Sequence, residues 1–151
     1  MDTEATTPRL TAGDDSPPRG DSGRTAGRDA VSIRLPAVSA YLSILRTAVA
    51  GLAARLDFTL DEIEDLRIAI DEACATLLVR AIPGTDLECE FVLTDQAMDI
   101  TVTAVTIDGR VPEQHTFSWA VLTALAGHVE ASSGDDGQVT IRLVKRRGVS
   151  S

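Results

Sequence analysis

Glu72 and Thr76 stand four residues apart in the segment TLDEIEDLRIAIDEACATLLVRAI, Thr59 to Ile82, and Asp65 lies seven residues before Glu72. In a helix these spacings put all three polar groups on one face. A carboxylate so placed can take a proton from water or from a hydroxyl. A Thr hydroxyl one turn further on can touch Mg²⁺, as it does in phosphate-binding loops. The plainer reading of the same strip is a solvated helix face on which Glu72 pairs with Thr76 or Arg80. The choice depends on what the strip faces.

The strip needs a helix to carry it, and the helix is well marked. Thr59 and Glu62 form a capping box, and Phe58 with Ile63 form a hydrophobic staple around it. Ile63, Leu66, Ile70, Ala73 and Leu77 make the buried stripe, and Pro83-Gly84 ends the helix. Before it, Val38, Leu42, Leu45, Val49, Leu52 and Leu56 trace one face of another amphipathic helix. Val31, Ile33 and Leu35 alternate as a half-buried strand. Later, Leu87 to Leu93 and Ile100 to Ala104 alternate as two strands joined by the turn Thr94-Asp95-Gln96. A loop over Ile107 to Gln114, a helix over Phe117 to Gly127, a short strand over Val129 to Ser132 and a last strand through Val139, Ile141 and Leu143 complete the pattern. Half-polar, hairpin-linked strands predict a two-layer α/β (α+β) sandwich, its mixed or antiparallel sheet covered on one face by helices.

The 151 residues suit one domain. Residues 1–29 offer almost no large apolar side chains and predict a disordered tail; 30–146 form the domain, and 147–151 a frayed end. Hydrophobic residues make up 44% and aromatics only 3%, so the core is aliphatic and base-stacking platforms are disfavoured. A net charge of −9 repels phosphate backbones and anionic membranes and favours a basic protein partner. The polar N-terminus lacks a secretory signal, and no apolar run spans a bilayer. These features predict a cytoplasmic protein. Cys74 and Cys89 have no metal or redox spacing and read as core, and His115 and His128 have no ligand partners at suitable spacing.

The chain resembles the GHKL (Bergerat) ATPase superfamily, and within it the RsbW-type anti-sigma factors, also described as serine-protein kinases. The resemblance is carried by LRIAIDEACATLL, VTIDG and FSWAVLTALAGHVE, and spans Val31 to Lys145. It implies a protein that binds a sigma factor, pairs as a homodimer and is opposed by an anti-anti-sigma factor, with ATP and Mg²⁺ as cofactors of the kinase members. In the first family motif a Glu acts as base and an Asn four residues later holds Mg²⁺. Glu72 matches the base; Thr76 stands in the Asn position. In the second, Asp-x-Gly-x-Gly, the register gives Ile107-Asp108-Gly109-Arg110-Val111, so Gly109 fits and Ile107 replaces the adenine-reading Asp. Asp108 fills that role only by a one-residue shift. The third is a glycine-rich stretch that cradles phosphates. Here Arg110 to Ala126 contains no glycine, and Ser118 and Ala120 take those positions.

These departures predict a degenerate nucleotide pocket. The expected function is an anti-sigma factor relieved by an anti-anti-sigma antagonist, without direct nucleic-acid or membrane binding. The alternative is an active ATP-dependent kinase that phosphorylates its antagonist. In that case Glu72 is the base, Thr76 the metal ligand, and Asp108 and Gly109 the adenine contact. Trp119 reads equally as a core anchor or a partner hot spot. Arg46 and Arg55 are interface candidates by family analogy.

Overall fold

A computed structural model describes residues 28–148. The expected tail lies outside these residues up to 27. Asp29 already pairs with Leu93, so the first strand begins two residues before Val31. The elements run β1 (Asp29–Pro36), a 3-10 turn (Ser39–Tyr41), α1 (Leu42–Arg55), α2 (Leu60–Leu78), β2 (Asp86–Leu93), β3 (Ala97–Val105), α3 (Phe117–Ala126), β4 (His128–Ser133), a second 3-10 turn (Asp135–Gly137) and β5 (Gln138–Arg146). The strands form one sheet in the order β1-β2-β3-β5-β4, with every neighbouring pair antiparallel.

Alternation in the strands sets the two faces of the sheet. Leu87, Phe91, Ile100, Val102, Ile141 and Leu143 point to the helices and are fully buried. Leu45 and Val49 of α1 and Leu66, Ile70 and Leu77 of α2 meet them. Each buried aliphatic side chain of this kind contributes roughly 1.5–3 kcal/mol. The opposite face is polar. There Arg142 forks onto both oxygens of Asp99 and also donates to Glu130, tying β3, β5 and β4 together. The Arg142 bonds hold the Glu130 carboxyl below its ordinary value. Cys74 and Cys89 are free, buried thiols in the helix–sheet layer. Burial pushes the Cys74 thiol up to about 12 and that of Cys89 higher still.

Two expectations about element ends need correction. Val38 is half exposed and precedes the 3-10 turn, because the chain bends at Pro36 and α1 starts only at Leu42. The second helix ends at Leu78 rather than near Ile82, because the backbone beyond it pairs with the end of β3. Within the expected frayed end, Arg147 and Gly148 carry hydrogen bonds, and 149–151 lie outside the described residues. The Arg147 side chain donates to the Leu56 carbonyl, its N–H donates to Gln96, and the Gly148 N–H donates to Glu62.

The capping box forms as expected: Thr59 Oγ1 accepts the Glu62 N–H at 3.1 Å, and Glu62 Oε1 accepts the Thr59 N–H at 2.8 Å. The bond from the Thr59 N–H holds the Glu62 carboxyl below the usual 4.5, and the Gly148 N–H adds to the effect. A lowered value means the carboxylate stabilises the fold above the ordinary value and stops doing so as pH falls through the folded one. Glu62→Ala should therefore lower the urea midpoint near pH 7, and the gap to the wild type should close as pH falls through the lowered Glu62 value. A gap that persists in acid would show that the charge is not the source.

At the far end of the sheet, Gly137 has φ +80°, and a Cβ there would stand 2.7 Å from the Thr106 carbonyl oxygen. Gly137→Ala is expected to cost about 2 kcal/mol or more in urea unfolding.

Candidate functional site

The early end of α2 builds the site. After Leu78 the chain joins the tip of β3: the Ile82 N–H donates to Val105 and the Ile107 N–H donates to Arg80, both at 2.9 Å. This pairing carries the Arg80 guanidinium to Asp108, at 3.3 Å. The other Asp108 oxygen accepts the Arg110 N–H at 3.1 Å, closing a small turn.

Thr106 fixes the same corner from inside. It is the one buried polar residue of the described core. Its hydroxyl donates to the Gly137 carbonyl and accepts the Gly109 N–H, each at 2.8 Å. Gly109 adopts φ +64°, and a Cβ on it would lie 3.3 Å from the Gly137 Cα. The glycine that the second motif retains is therefore needed for the fold of this corner.

A cavity of about 370 Å³ lies between the end of α2, the 106–116 segment and the start of α3. Thr76, Arg80, Thr106, Arg110, Thr116 and Ser118 bring polar groups to its wall, and Leu77, Val79 and Val139 bring apolar ones. Its volume is near the lower limit for small-molecule sites. Ile107 and Val111, which replace the motif Asp and second glycine, are exposed beside it.

The polar strip of α2 faces α3. Ser118 Oγ donates to Glu72 Oε2 at 2.6 Å. Seven residues earlier on α2, Asp65 meets the Lys145 ammonium at 3.4 Å, and Lys145 also donates to the Leu125 carbonyl at 2.7 Å. Seven residues also separate Ser118 from Leu125, so the strip and α3 run antiparallel, joined at both ends. Thr76 turns back and donates to the Glu72 carbonyl at 2.8 Å. Glu72 therefore pairs with neither Thr76 nor Arg80 through its side chain, and the solvated-face reading gives way to a helix–helix seam.

The cofactor question can be put to these bonds. The Thr76 hydroxyl proton is spent on backbone, the Glu72 oxygen accepts Ser118, and Asp108 is neutralised by Arg80. Glu72 itself does not line the cavity, whereas Ser118 does. Among the described residues no group of three or more His, Cys, Asp or Glu side chains could hold a metal ion. Each of these three side chains already has a partner within the protein: Thr76 the Glu72 carbonyl, Glu72 the Ser118 hydroxyl and Asp108 the Arg80 guanidinium.

Other candidate residues fall elsewhere. Ala120 is exposed and away from the cavity wall. Trp119 is 8% exposed and belongs to the core, so its indole is an anchor and not a surface hot spot. Arg46 is paired with both oxygens of Asp71, at 2.9 and 3.1 Å. Arg55 is exposed at the end of α1. His115 and His128 sit beside Glu113 and Glu130 on the surface.

Sequence reasoning missed Thr106, Arg110 and Lys145. Lys145 and Thr106 left a signal, since Lys145 continues the inward alternation of Val139, Ile141 and Leu143 and Thr106 that of Ile100, Val102 and Ala104. A cation in such a register needs a partner under the helices.

Comparison with known proteins agrees with this geometry. No family model matches the chain. The anti-sigma-F factor RsbW of Mycobacterium tuberculosis (strain ATCC 25618 / H37Rv) is 33% identical over 135 residues, covering 85% of this chain and 80% of that protein. The serine-protein kinase RsbW of Bacillus subtilis (strain 168) is 42% identical over 53 residues, 35% of this chain and 33% of that protein. The crystal structure of the RsbU and RsbW domains of Rv1364c from Mycobacterium tuberculosis superposes with a TM-score of 0.60 at 17% identity, over 78% of this chain and 32% of that one. The last likeness speaks to the fold, a five-stranded antiparallel sheet under three helices. The extended match to the mycobacterial anti-sigma-F factor speaks to descent: the chain belongs to the RsbW family of anti-sigma factors and serine-protein kinases.

Proposed function

We propose that this chain is an anti-sigma factor that sequesters an RNA polymerase sigma factor and is released by an anti-anti-sigma antagonist, without using ATP. The observation that carries the non-catalytic part is the self-pairing of the site: Glu72 with Ser118, Thr76 with backbone, and Asp108 with Arg80. The sigma-factor part is supported by the extended similarity to a protein named anti-sigma-F factor. The net charge of −9 supports a basic protein partner over nucleic acid. No helix among the described residues is long and apolar enough to cross a membrane. Action on RNA polymerase would place the protein in the cytoplasm, and we extend the proposal to a homodimer, by family analogy. Arg55 and the exposed part of α1 are the proposed partner surface.

Control in this reading comes from competition between two proteins for one surface. Phosphoryl transfer needs a metal to neutralise charge on the group in flight, and Thr76 stands where the family motif has its metal-holding Asn. Size-exclusion with candidate sigma factors tests the main proposal: a sigma factor should co-elute with the chain in the absence of nucleotide. Failure of every candidate to co-elute would remove the sigma-factor assignment. Adding ATP and Mg²⁺ should change sigma affinity by less than tenfold, which is a coupling below ~1.4 kcal/mol.

A second reading is favoured by the Bacillus relatives, which are named serine-protein kinases. In it Glu72 would act as base toward an antagonist serine, with ATP and Mg²⁺ held near Thr76, Asp108 and Gly109. Magnesium-dependent ATP binding in calorimetry, with transfer of label to the antagonist that Glu72→Ala abolishes, would establish it. We expect neither.

A further inference from the structure

The Glu72 carboxylate lies next to the cavity yet is absent from its wall. Ser118 stands between them. Its hydroxyl lines the cavity and donates to Glu72 Oε2 at 2.6 Å. A hydroxyl donating to a carboxylate at this distance is the arrangement a general base makes with the hydroxyl it serves. Here that hydroxyl belongs to the same chain.

We propose that Ser118 is an internal gate: it occupies the Glu72 carboxylate in place of an outside hydroxyl and holds the first turn of α3 closed over the pocket. The inference concerns the regulation of the pocket and rests on its geometry alone, so it stands or falls separately from the sigma-factor reading.

Three features make the contact a gate and not only a surface bond. The first is its place in the chain. Ser118 is the second residue of α3 and closes the 111–117 stretch whose Pro112, Glu113 and Thr116 line the cavity, so releasing it loosens that stretch. The second is the shortage of other fastenings there. Thr116 spends its side chain on the helix itself, accepting the Trp119 N–H and donating to the Glu113 carbonyl. Phe117 points outward and is 83% exposed. Trp119 is the next side chain to enter the core. The third is that the opposite end of α3 is fastened independently, through Lys145 to Leu125 and Asp65. Loss of the Ser118 bond therefore leaves the helix held by Trp119 and at its far end, while the 111–118 segment ahead of Trp119 loses its side-chain fastening. A charge-assisted hydrogen bond of this kind is strong enough to set the population of such a local opening.

The test compares the full chain with Ser118→Ala and Ser118→Thr. Water-soluble carbodiimide with glycine ethyl ester labels accessible carboxylates, and mass spectrometry reads the labelling of each residue. Glu72 should label slowly in the wild type relative to the exposed Glu90, and at least about fivefold faster in Ser118→Ala. Ser118→Thr keeps the hydroxyl and should return the rate toward that of the wild type. Amide exchange over residues 107–118 should rise by roughly tenfold in Ser118→Ala while the β2, β3 and β5 amides stay protected. A generally loosened variant would instead expose both regions and would not be rescued by Thr. The proposal is overturned if wild-type Glu72 labels as fast as Glu90, if Ser118→Ala leaves its labelling unchanged, or if exchange rises uniformly across the sheet.

Discussion

The seam between α2 and α3 governs the rest of this molecule. Helix α3 is short, and only Trp119, Leu122 and Ala126 of it are buried. Apolar burial of that extent holds a helix against a sheet but fixes its long axis weakly. The two polar fastenings supply the missing constraint. One joins Glu72 to Ser118; the other runs from Asp65 through Lys145 to the Leu125 carbonyl. They set the position of α3, and α3 sets the height of the cavity roof.

This use of Glu72 explains how an RsbW-family scaffold can keep a carboxylate at the base position without exposing it to the pocket. A family residue can stay in register and change its employment. The same holds for Asp108, which is drawn to Arg80, and for Gly109, whose positive φ is required by the Thr106–Gly137 corner. The corner remains well ordered although its partners no longer point outward. Side chains at family positions take structural partners here, in keeping with the general rule that function resides in sites and not in folds.

Much of the architecture was legible from residue patterns because each element carries its own period. Alternation in Leu87 to Leu93 and Ile100 to Ala104, the Thr59–Glu62 box and the Leu66–Ile70–Leu77 stripe all survive in the fold. What could not be read was where backbone pairing overrides local signals. Pro83-Gly84 looks like the stop of α2, but the bridge between Ala81 and Thr106 stops it earlier. The site was only half legible for the same reason. The registers of Glu72, Thr76 and Ser118 follow from the sequence, whereas their partners are set by helix–helix packing. The inward register of Thr106 continues that of Ile100, Val102 and Ala104, but its partner Gly137 lies thirty-one residues away and leaves no local hint.

The two ends of α3 also differ in mechanical character. At its C-terminus Gly127 has φ +93°, directly after the end anchored by Lys145, while Ser118 lies nine residues earlier. At 1.5 Å rise per residue that is a lever arm of roughly 13 Å. A tilt of about ten degrees around the glycine pivot would carry the Ser118 end by roughly 2 Å, nearly the length of the bond that holds it. A partner pressing on the exposed Phe117 would thus work at the long end of the lever, where a small rotation becomes a large displacement of the roof.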